Sequence, residues 1–361
     1  MTNAVTVAQG ASNNVTFRNR IINGGMVIDQ RNAGAEIFPV NDGYMLDRWK
    51  YNSSQASKFK VQQNAALVTP PAGFPNYMGF TVASAVTVGS TDNFMFSQRI
   101  EGFNFADLNW GTANAKTVTL SAWVYSSLTG TFGGSLMNSA ENRSYPFTYT
   151  ISSANTWTQI SVTIVGDTTG TWIGATNGVG LKVWFSLGMG STYSGTAGTW
   201  AGATYFSATG ATSVVGTSGA TFYITGVQLE AGTTASPFEY RQYGTELALC
   251  QRYYAKLGAN ANGSSSYQAY GAGHNNSSNT NQNFHMPFPQ FMRASPTVAF
   301  VNGVGVSVNG SYINATISAN YAGVSSCLLQ TNTSAIGSAG QGAVLLSNGD
   351  STAYITVTAE L

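Results

Sequence analysis

Acid–base, nucleophilic or metal chemistry in this chain of 361 residues would fall to 14 carboxylates, two histidines and two cysteines. The acids in the first two thirds are isolated, except for Asp42 and Asp47, and Arg48 beside Asp47 suits an ordinary ion pair. Cleaving a glycosidic bond takes two carboxyl groups flanking it; Glu101 and Asp107 could be such a spatial pair, yet nothing around them marks an acid and a base. His274 and His285 lie near no nucleophile motif of the GxSxG type. Cys250 and Cys327 fit no CxxC or zinc spacing and read as free, buried thiols. The glycine-rich VNGVGVSVNG ends in no Lys-Ser/Thr and is flanked by strand patterns, so its glycines serve turns. No catalytic residue, metal site or cofactor is therefore assigned.

Aromatic side chains carry the one case for binding. Trp123, Tyr125 and Trp184 alternate out of phase with the apolar residues around them, and Tyr193, Trp200 and Tyr205 fall in a long Gly/Ser/Thr-rich insertion between Leu187 and Phe222. Flat rings stack on the apolar faces of sugars while Asn, Thr and Ser bond the hydroxyls. The opposing reading is that the insertion or a neighbouring subunit covers these rings.

The elements that would carry them are strands. Charged residues make up 8% of the chain, and 41 glycines with many Thr, Ser and Asn stand in their place, a composition that favours strands and turns over helices. Strands are expected at Lys58–Val61, Tyr77–Val82, Asn93–Ile100, Val118–Tyr125, Thr158–Val165 and Leu181–Leu187, with a first strand around Ile21, Ile22 and Met26 ending in a tight turn. Alternation places Val118, Leu120, Ala122 and Val124, Ile160, Val162 and Ile164, and Leu181, Val183, Phe185 and Leu187 on the inner face. Spacing with turn signals between strands is that of a sandwich or jelly roll.

From Ala220 to Tyr254 the chain changes character. Phe222 and Ile224 are in phase, but after Gly226 the apolar positions become Val227 and Leu229, a slip that suggests a β-bulge. GTTASP ends the strand. From Thr245, Leu247, Cys250 and Tyr254 recur at helical steps, with Thr245 placed to cap and Glu246 at the positive end. This hinge stripe, Leu247, Cys250 and Tyr254, is a candidate seam between copies. Beyond it, Gly258–Asn283 reads as loop or loose hairpin, and the three prolines of HMPFPQFMRASP restrict it to an edge or an extended crossing. Short strands follow at Thr297–Val301, Val304–Val308, Tyr312–Ile317, Cys327–Leu329, Val344–Leu346 and Ala353–Thr358. The layout is an N-terminal arm over 1–20, a jelly roll over 21–242, a helical hinge over 243–257 and a smaller β domain over 258–361, all-β in class apart from the hinge.

VQLEAG and SPFEYRQYGTELALCQRYY, RNRIINGGMVIDQRNAG with GYMLDRWKY, and FPQFMRASPTVAF with the final AYITVTAEL resemble motifs of a family of tailed-bacteriophage virion proteins placed among tail fibres, adhesins and other surface structural proteins. The strand order is similar, in pattern only, to jelly-roll carbohydrate-binding modules; where those commonly place two calcium-binding carboxylates this chain has Val27 and Gly226, so no calcium site carries over. The resemblance implies a non-enzymatic protein on the virion surface, binding a host surface polysaccharide, in contact with other virion proteins and assembled as a homotrimer. Alternatives are a capsid decoration or head-fibre protein with a structural role and, from another class, a glycan-cleaving enzyme. The N-terminus lacks signal-peptide features and no apolar run is of spanning length, so synthesis in the host cytoplasm without export and no membrane insertion are expected. A net charge of +1, with nine Arg and six Lys scattered, offers no field for nucleic acid. Five charges in the last 111 residues suit a domain built to associate.

Overall fold

The inward residues assigned to the strands of the first two thirds all belong to, or pack on, one core. In a computed structural model, which describes residues 18–258, 268–276, 280–347, 349–350 and 352–361, the chain divides into two units, Met1–Tyr243 and Gly244–Leu361. The arm expected over 1–20 lies outside the described residues as far as residue 17; residues 18–20 belong to the first unit.

The first unit contains β1 (Lys50–Ser53), β2 (Phe59–Gln63), β3 (Met78–Val82), β4 (Asn93–Glu101), β5 (Val118–Ser126), β6 (Gly130–Met137), β7 (Ser144–Ile151), β8 (Thr158–Ile164), β9 (Val179–Met189), the two-residue β10 (Ser194–Gly195) and β11 (Ser207–Ala208), and β12 (Thr221–Ala231). Two antiparallel five-stranded sheets, in the orders β1-β4-β9-β6-β7 and β2-β3-β12-β5-β8, enclose the core. Consecutive strands pass back and forth between the sheets, which makes the sandwich a jelly roll. Phe96 is central: it stacks on Phe80 (4.7 Å) from the opposite sheet and on Phe185 (5.2 Å) from its own.

The phase slip in β12 is a bulge. Thr225 pairs with Trp123 and Gln228 with Ser121, so an extra residue intervenes, and Gly226 sits at φ 62°. β3 pairs with β12 only as far as Ile224, and the edge of β12 beyond it is taken up by the segment around Ile21. That segment is not a strand, as expected from Ile21, Ile22 and Met26, but a plug of turns. Val227 N donates to Gly24 O (3.0 Å) and Arg20 N to Leu229 O (3.0 Å). The Asn19 side chain donates to Val227 O (3.0 Å) and accepts from Leu229 N (3.1 Å). Gly24 is required by this approach, since a Cβ there would lie 2.1 Å from Val227 O.

The second unit begins in α1 (Tyr243–Gln251) and continues through β13 (Tyr254–Gly258), β14 (Ala269–Asn275), β15 (Asn281–Pro287), β16 (Thr297–Val301), β17 (Gly305–Val308), β18 (Ser311–Asn314), β19 (Thr316–Asn320), β20 (Ser326–Asn332), β21 (Gly342–Leu346) and β22 (Tyr354–Thr358). One sheet has the order β13-β22-β16, the other β18-β17-β21-β14-β15-β20-β19. The two edge strands of the larger sheet, β18 and β19, are one run separated by Ala315. That sheet therefore curls, as a half-barrel, around Phe284, Val306, Leu329, Leu345 and their neighbours. Three expectations are corrected here. The helix stops at Gln251, and Tyr254–Gly258 is a strand, because Tyr254–Gly258 pairs along β22. Thr245 lies inside the helix, which starts two residues earlier, so it is not the cap. Cys250 and Tyr254 are buried within the chain and cannot line a seam between copies; only Leu247 of the three is partly exposed. Of the two readings of the stretch up to Asn283, loop or loose hairpin, the hairpin agrees with the antiparallel pairing of β14 and β15, with 259–267 and 277–279 outside the described residues; β15 pairs on both sides, and Pro287 is accommodated at its end, where only β20 is a partner.

The bulge supplies a test of this architecture. Gly226→Ala forces a side chain into left-handed backbone with its Cβ 2.6 Å from the Phe74 ring. It should cost about 2–4 kcal/mol in denaturant unfolding of the first unit; an unchanged midpoint would show that the plug does not depend on the bulge.

Candidate functional site

Strand alternation turns Asn52 of β1, Met95, Ser97 and Arg99 of β4, Lys182, Trp184 and Ser186 of β9, and Ser135 and Met137 of β6 to the outer face of the first sheet, where register pairs them across strands. The excursion between β9 and β12 folds back over half of this face. Phe206 packs edge-on against Trp184 (5.0 Å) and Tyr193 against Phe206 (5.6 Å), with Met95 and Met137 beside them. Close approach of the excursion depends on Gly133, where a Cβ would come within 2.4 Å of Ser207 Oγ.

The uncovered half is a groove of about 450 Å³. Met95, Tyr193 and Phe206 form an apolar and aromatic side, and Asn41, Asn52, Ser53, Ser54, Asn93 and Thr204 form a hydrogen-bonding side, with Glu141 at one margin. Asn52 Oδ1, Ser97 Oγ, Trp184 Nε1 and Ser186 Oγ are buried on this face without a hydrogen-bond partner, a costly arrangement for groups in a dry interior.

Ion pairs border the groove. Lys50 Nζ lies 2.6 Å from Asp42 Oδ1, Arg99 4.0 Å from the same oxygen, and Lys182 Nζ 2.6 Å from Glu141 Oε1. Burial holds the Lys182 ammonium below the usual lysine range, with Arg99 and Lys50 adding to the effect and Glu141 opposing it. Burial alone would raise Asp42, but the bond and charge of Lys50, with Asn52 and Arg99, bring it below the usual carboxylate range. Asp92, bonded by Gly89 N, Ser54 Oγ and Gln55 Nε2, is likewise lowered. Asp42 and Asp92 are not in the lining itself; they hold two residues that are, Asp42 through Asn52 and Asp92 through Ser54. Glu101 is buried, and the Asp107 carboxylate is held in a bidentate pair by Arg20 (2.8 Å for both bonds). Among the described residues no group of three or more His, Cys, Asp or Glu could hold a metal ion.

Of the six aromatic candidates, only Tyr193 lines this groove. Trp184 is 2% exposed and cannot stack on a sugar: it is the floor beneath Phe206. Trp123 and Tyr125 leave the core on the outer face of the other sheet, on the opposite side of the sandwich from Trp184. There Tyr125 stacks on Tyr223 (5.1 Å) and contacts Trp157 (5.5 Å), in a cluster with Ala65, Val68 and Tyr77 from the excursion after β2. Trp200 packs against Trp110 (5.2 Å), Trp172 (5.5 Å) and Tyr145 (5.2 Å), and its Nε1 donates to Val165 O (2.8 Å). Tyr205 closes over Gly195, where a Cβ would lie 2.2 Å from its ring. Phe206, next to Tyr205, and the amides of β1 were missed because neither the irregular excursion nor the four-residue β1 shows a period to assign faces by.

Two measurements follow from these placements. Trp184→Ala should destabilise the first unit by about 3–5 kcal/mol, and a melt equal to that of the unchanged protein would return Trp184 to the surface. Near Trp200, Asp167 is buried, receives Arg143 Nε (2.8 Å) and Nη2 (2.7 Å), and accepts from Trp172 Nε1 (3.2 Å). Burial would raise its pKa, but Arg143 and Thr169 bring it below the usual range. A carboxylate whose folded pKa is depressed contributes stability above its unfolded value of about 3.9 and loses it as pH falls through the folded value. Asp167→Asn should therefore cost about 1–3 kcal/mol at pH 7, the partly solvated Arg143 limiting the penalty, and the difference from the unchanged protein should shrink as pH falls below the usual carboxylate range. A difference independent of pH would remove the ion pair as its cause.

No protein-family model and no curated protein matches the chain. Solved structures similar to it include the enzymatically active domain of tailspike protein 4 of bacteriophage CBA120, at 11% identity over 60% of this chain and 22% of that one, TM-score 0.33. A putative sugar binding protein from Bacteroides thetaiotaomicron aligns at 12% identity over 59% of this chain and all of that one, TM-score 0.33. TmCBM61 in complex with β-1,4-galactotriose aligns at 10% identity over 60% and 99%, TM-score 0.30. The chain thus spans about a fifth of the tailspike domain's length.

Proposed function

We propose that the first unit binds a host surface polysaccharide in the groove beside Tyr193 and Phe206, and that the chain is a surface component of a tailed-phage virion, acting as a tail fibre or adhesin. The groove supports the binding half of this reading: one aromatic side meets one side of amides and hydroxyls, the combination a sugar ring needs for stacking and for its hydroxyls. The sequence motifs shared with phage virion proteins support the other half. Self-association fits the second unit, whose exposed Phe291 and Val324 lie on neighbouring segments joined by a bond from Met292 N to Val324 O (2.7 Å), with exposed Tyr321 on the second of these. A trimer is the expected state, in contact with other virion proteins. The reading assigns binding and no bond cleavage.

A glycan array with the full chain tests the binding. A surface polysaccharide or its oligomers should be retained, and Asn52→Ala or Tyr193→Ala should weaken retention about tenfold, equivalent to 1.4 kcal/mol; binding indifferent to both changes would move the site elsewhere, and release of reducing ends would make the chain an enzyme. Light scattering at low concentration should give three copies of the 37.9 kDa chain, and a stable monomer would remove the oligomer from the proposal.

A further inference from the structure

The outward face of β15, β20 and β19 in the second unit is a broad, uncharged surface of side-chain amides and hydroxyls. Register places Asn281 beside Asn332 and Thr316, Asn283 beside Gln330 and Ser318, and His285 beside Leu328 and Asn320. The alternate residues, Phe284, Met286, Cys327, Leu329 and Ile317, face the core. Eight of these nine outward positions are thus polar, and no residue of the three strands is an acid, Lys or Arg. A shallow groove of about 370 Å³ runs over them, lined by Asn281, Thr316, Ser318, Gln330, Thr331 and Asn332.

The carboxamides are ordered among themselves. Asn320 Nδ2 donates to Gln330 Oε1 (3.2 Å), and Gln330 Nε2 donates to Asn283 Oδ1 (3.3 Å). This chain of amides fixes the side-chain rotamers across three strands and leaves the second Nε2 hydrogen of Gln330, the Nδ2 of Asn283 and the Oδ1 of Asn320 for another molecule. A protein partner would want apolar or aromatic anchors, and Leu328 is the only apolar side chain among the nine. Nucleic acid would want cations. An uncharged saccharide suits it: each hydroxyl both donates and accepts, as each carboxamide does, and neither side carries a charge to desolvate.

We infer that this face is a second binding site, for a neutral saccharide, separate from the groove of the first unit. With no Phe, Tyr or Trp ring to stack on, it binds mainly by neutral hydrogen bonds, each of small net worth, so a single site holds its ligand weakly, with a dissociation constant on the order of 1 mM.

Saturation-transfer NMR on the full chain tests it, with neutral oligosaccharides of glucose, galactose and N-acetylglucosamine as probes and a uronate oligomer as the control. The first groove is disabled by Asn52→Ala with Tyr193→Ala. Signal from a neutral probe should persist in that protein, exceed the uronate signal, and fall at least fivefold on adding Gln330→Ala, with the melt lowered by no more than a few degrees because Gln330 is half-buried and points away from the core. Ser318→Ala should give a smaller loss in the same direction. No residual signal, or a residual signal indifferent to Gln330→Ala, overturns the inference while leaving the first groove untouched. A change in oligomeric mass on Gln330→Ala without change in saccharide signal also overturns it, and makes the face a contact between copies.

Discussion

β12 is eleven residues long and its neighbour β3 only five, so beyond Ile224 one edge of β12 has no strand beside it, and the first unit is built around supplying partners for that edge. The bulge at Gly226 falls where this open edge begins. Asn19, Arg20 and Gly24 approach from the start of the unit and complete Val227 and Leu229. The end of the unit completes Asn19 in turn: Glu239 accepts from Asn19 N (2.6 Å), and Arg241 donates to the carbonyls of Asn19 and Ile21. Between them Gln228 accepts from Glu239 N (2.8 Å) and donates to Glu230 (2.8 Å), which also receives Ser236. Asn23 extends the network to Ile28, Asp47 and Trp49 Nε1. A buried polar cluster of this kind stabilises only when its members are satisfied together.

The motifs that carried the family resemblance in the first unit lie far apart in sequence and meet in this cluster. RIINGG, DRW, VQLE and SPFEYR each contribute to it. In SPFEYR the alternation divides the labour: Glu239 and Arg241 enter the polar cluster, while Phe238 and Tyr240 form a three-ring group with Phe74 at 4.9–5.4 Å. Spacing alone could not reveal this convergence, because hydrogen bonds to backbone across more than 200 residues leave no period in a sequence.

What was legible followed the same physics. β5, β8 and β9 were readable with their faces because a strand between a core and an outer surface alternates strictly, and the bulge was readable because Gly226 breaks that alternation. β6 and β7 were missed: GTFGGSLM is half glycine and serine on its outward side, where the excursion lies against Gly133, and SYPFTYTI, though it alternates with Tyr145, Phe147, Tyr149 and Ile151 in the core, carries Pro146, which argues against a strand. The binding residues were least legible. Alternation tells that Trp123 and Trp184 both point away from the core, but not that they leave it through opposite sheets, nor that an excursion of low periodicity returns to bury one of them. Tyr193 was found by its type, whereas Asn52, Asn93 and Phe206 needed the fold to bring them together.

The clamp between Asn19 and Arg241 has a mechanical consequence. The chain enters and leaves the first unit at points bonded to one another, so tension along the polypeptide passes from Arg241 to Asn19 without crossing either sheet. The strands are by-passed, and the clamp is the element that must break before a pull can reach them. The sandwich is thus carried as a side branch on the line of force, and the groove on its outer face keeps its geometry while the chain is under load.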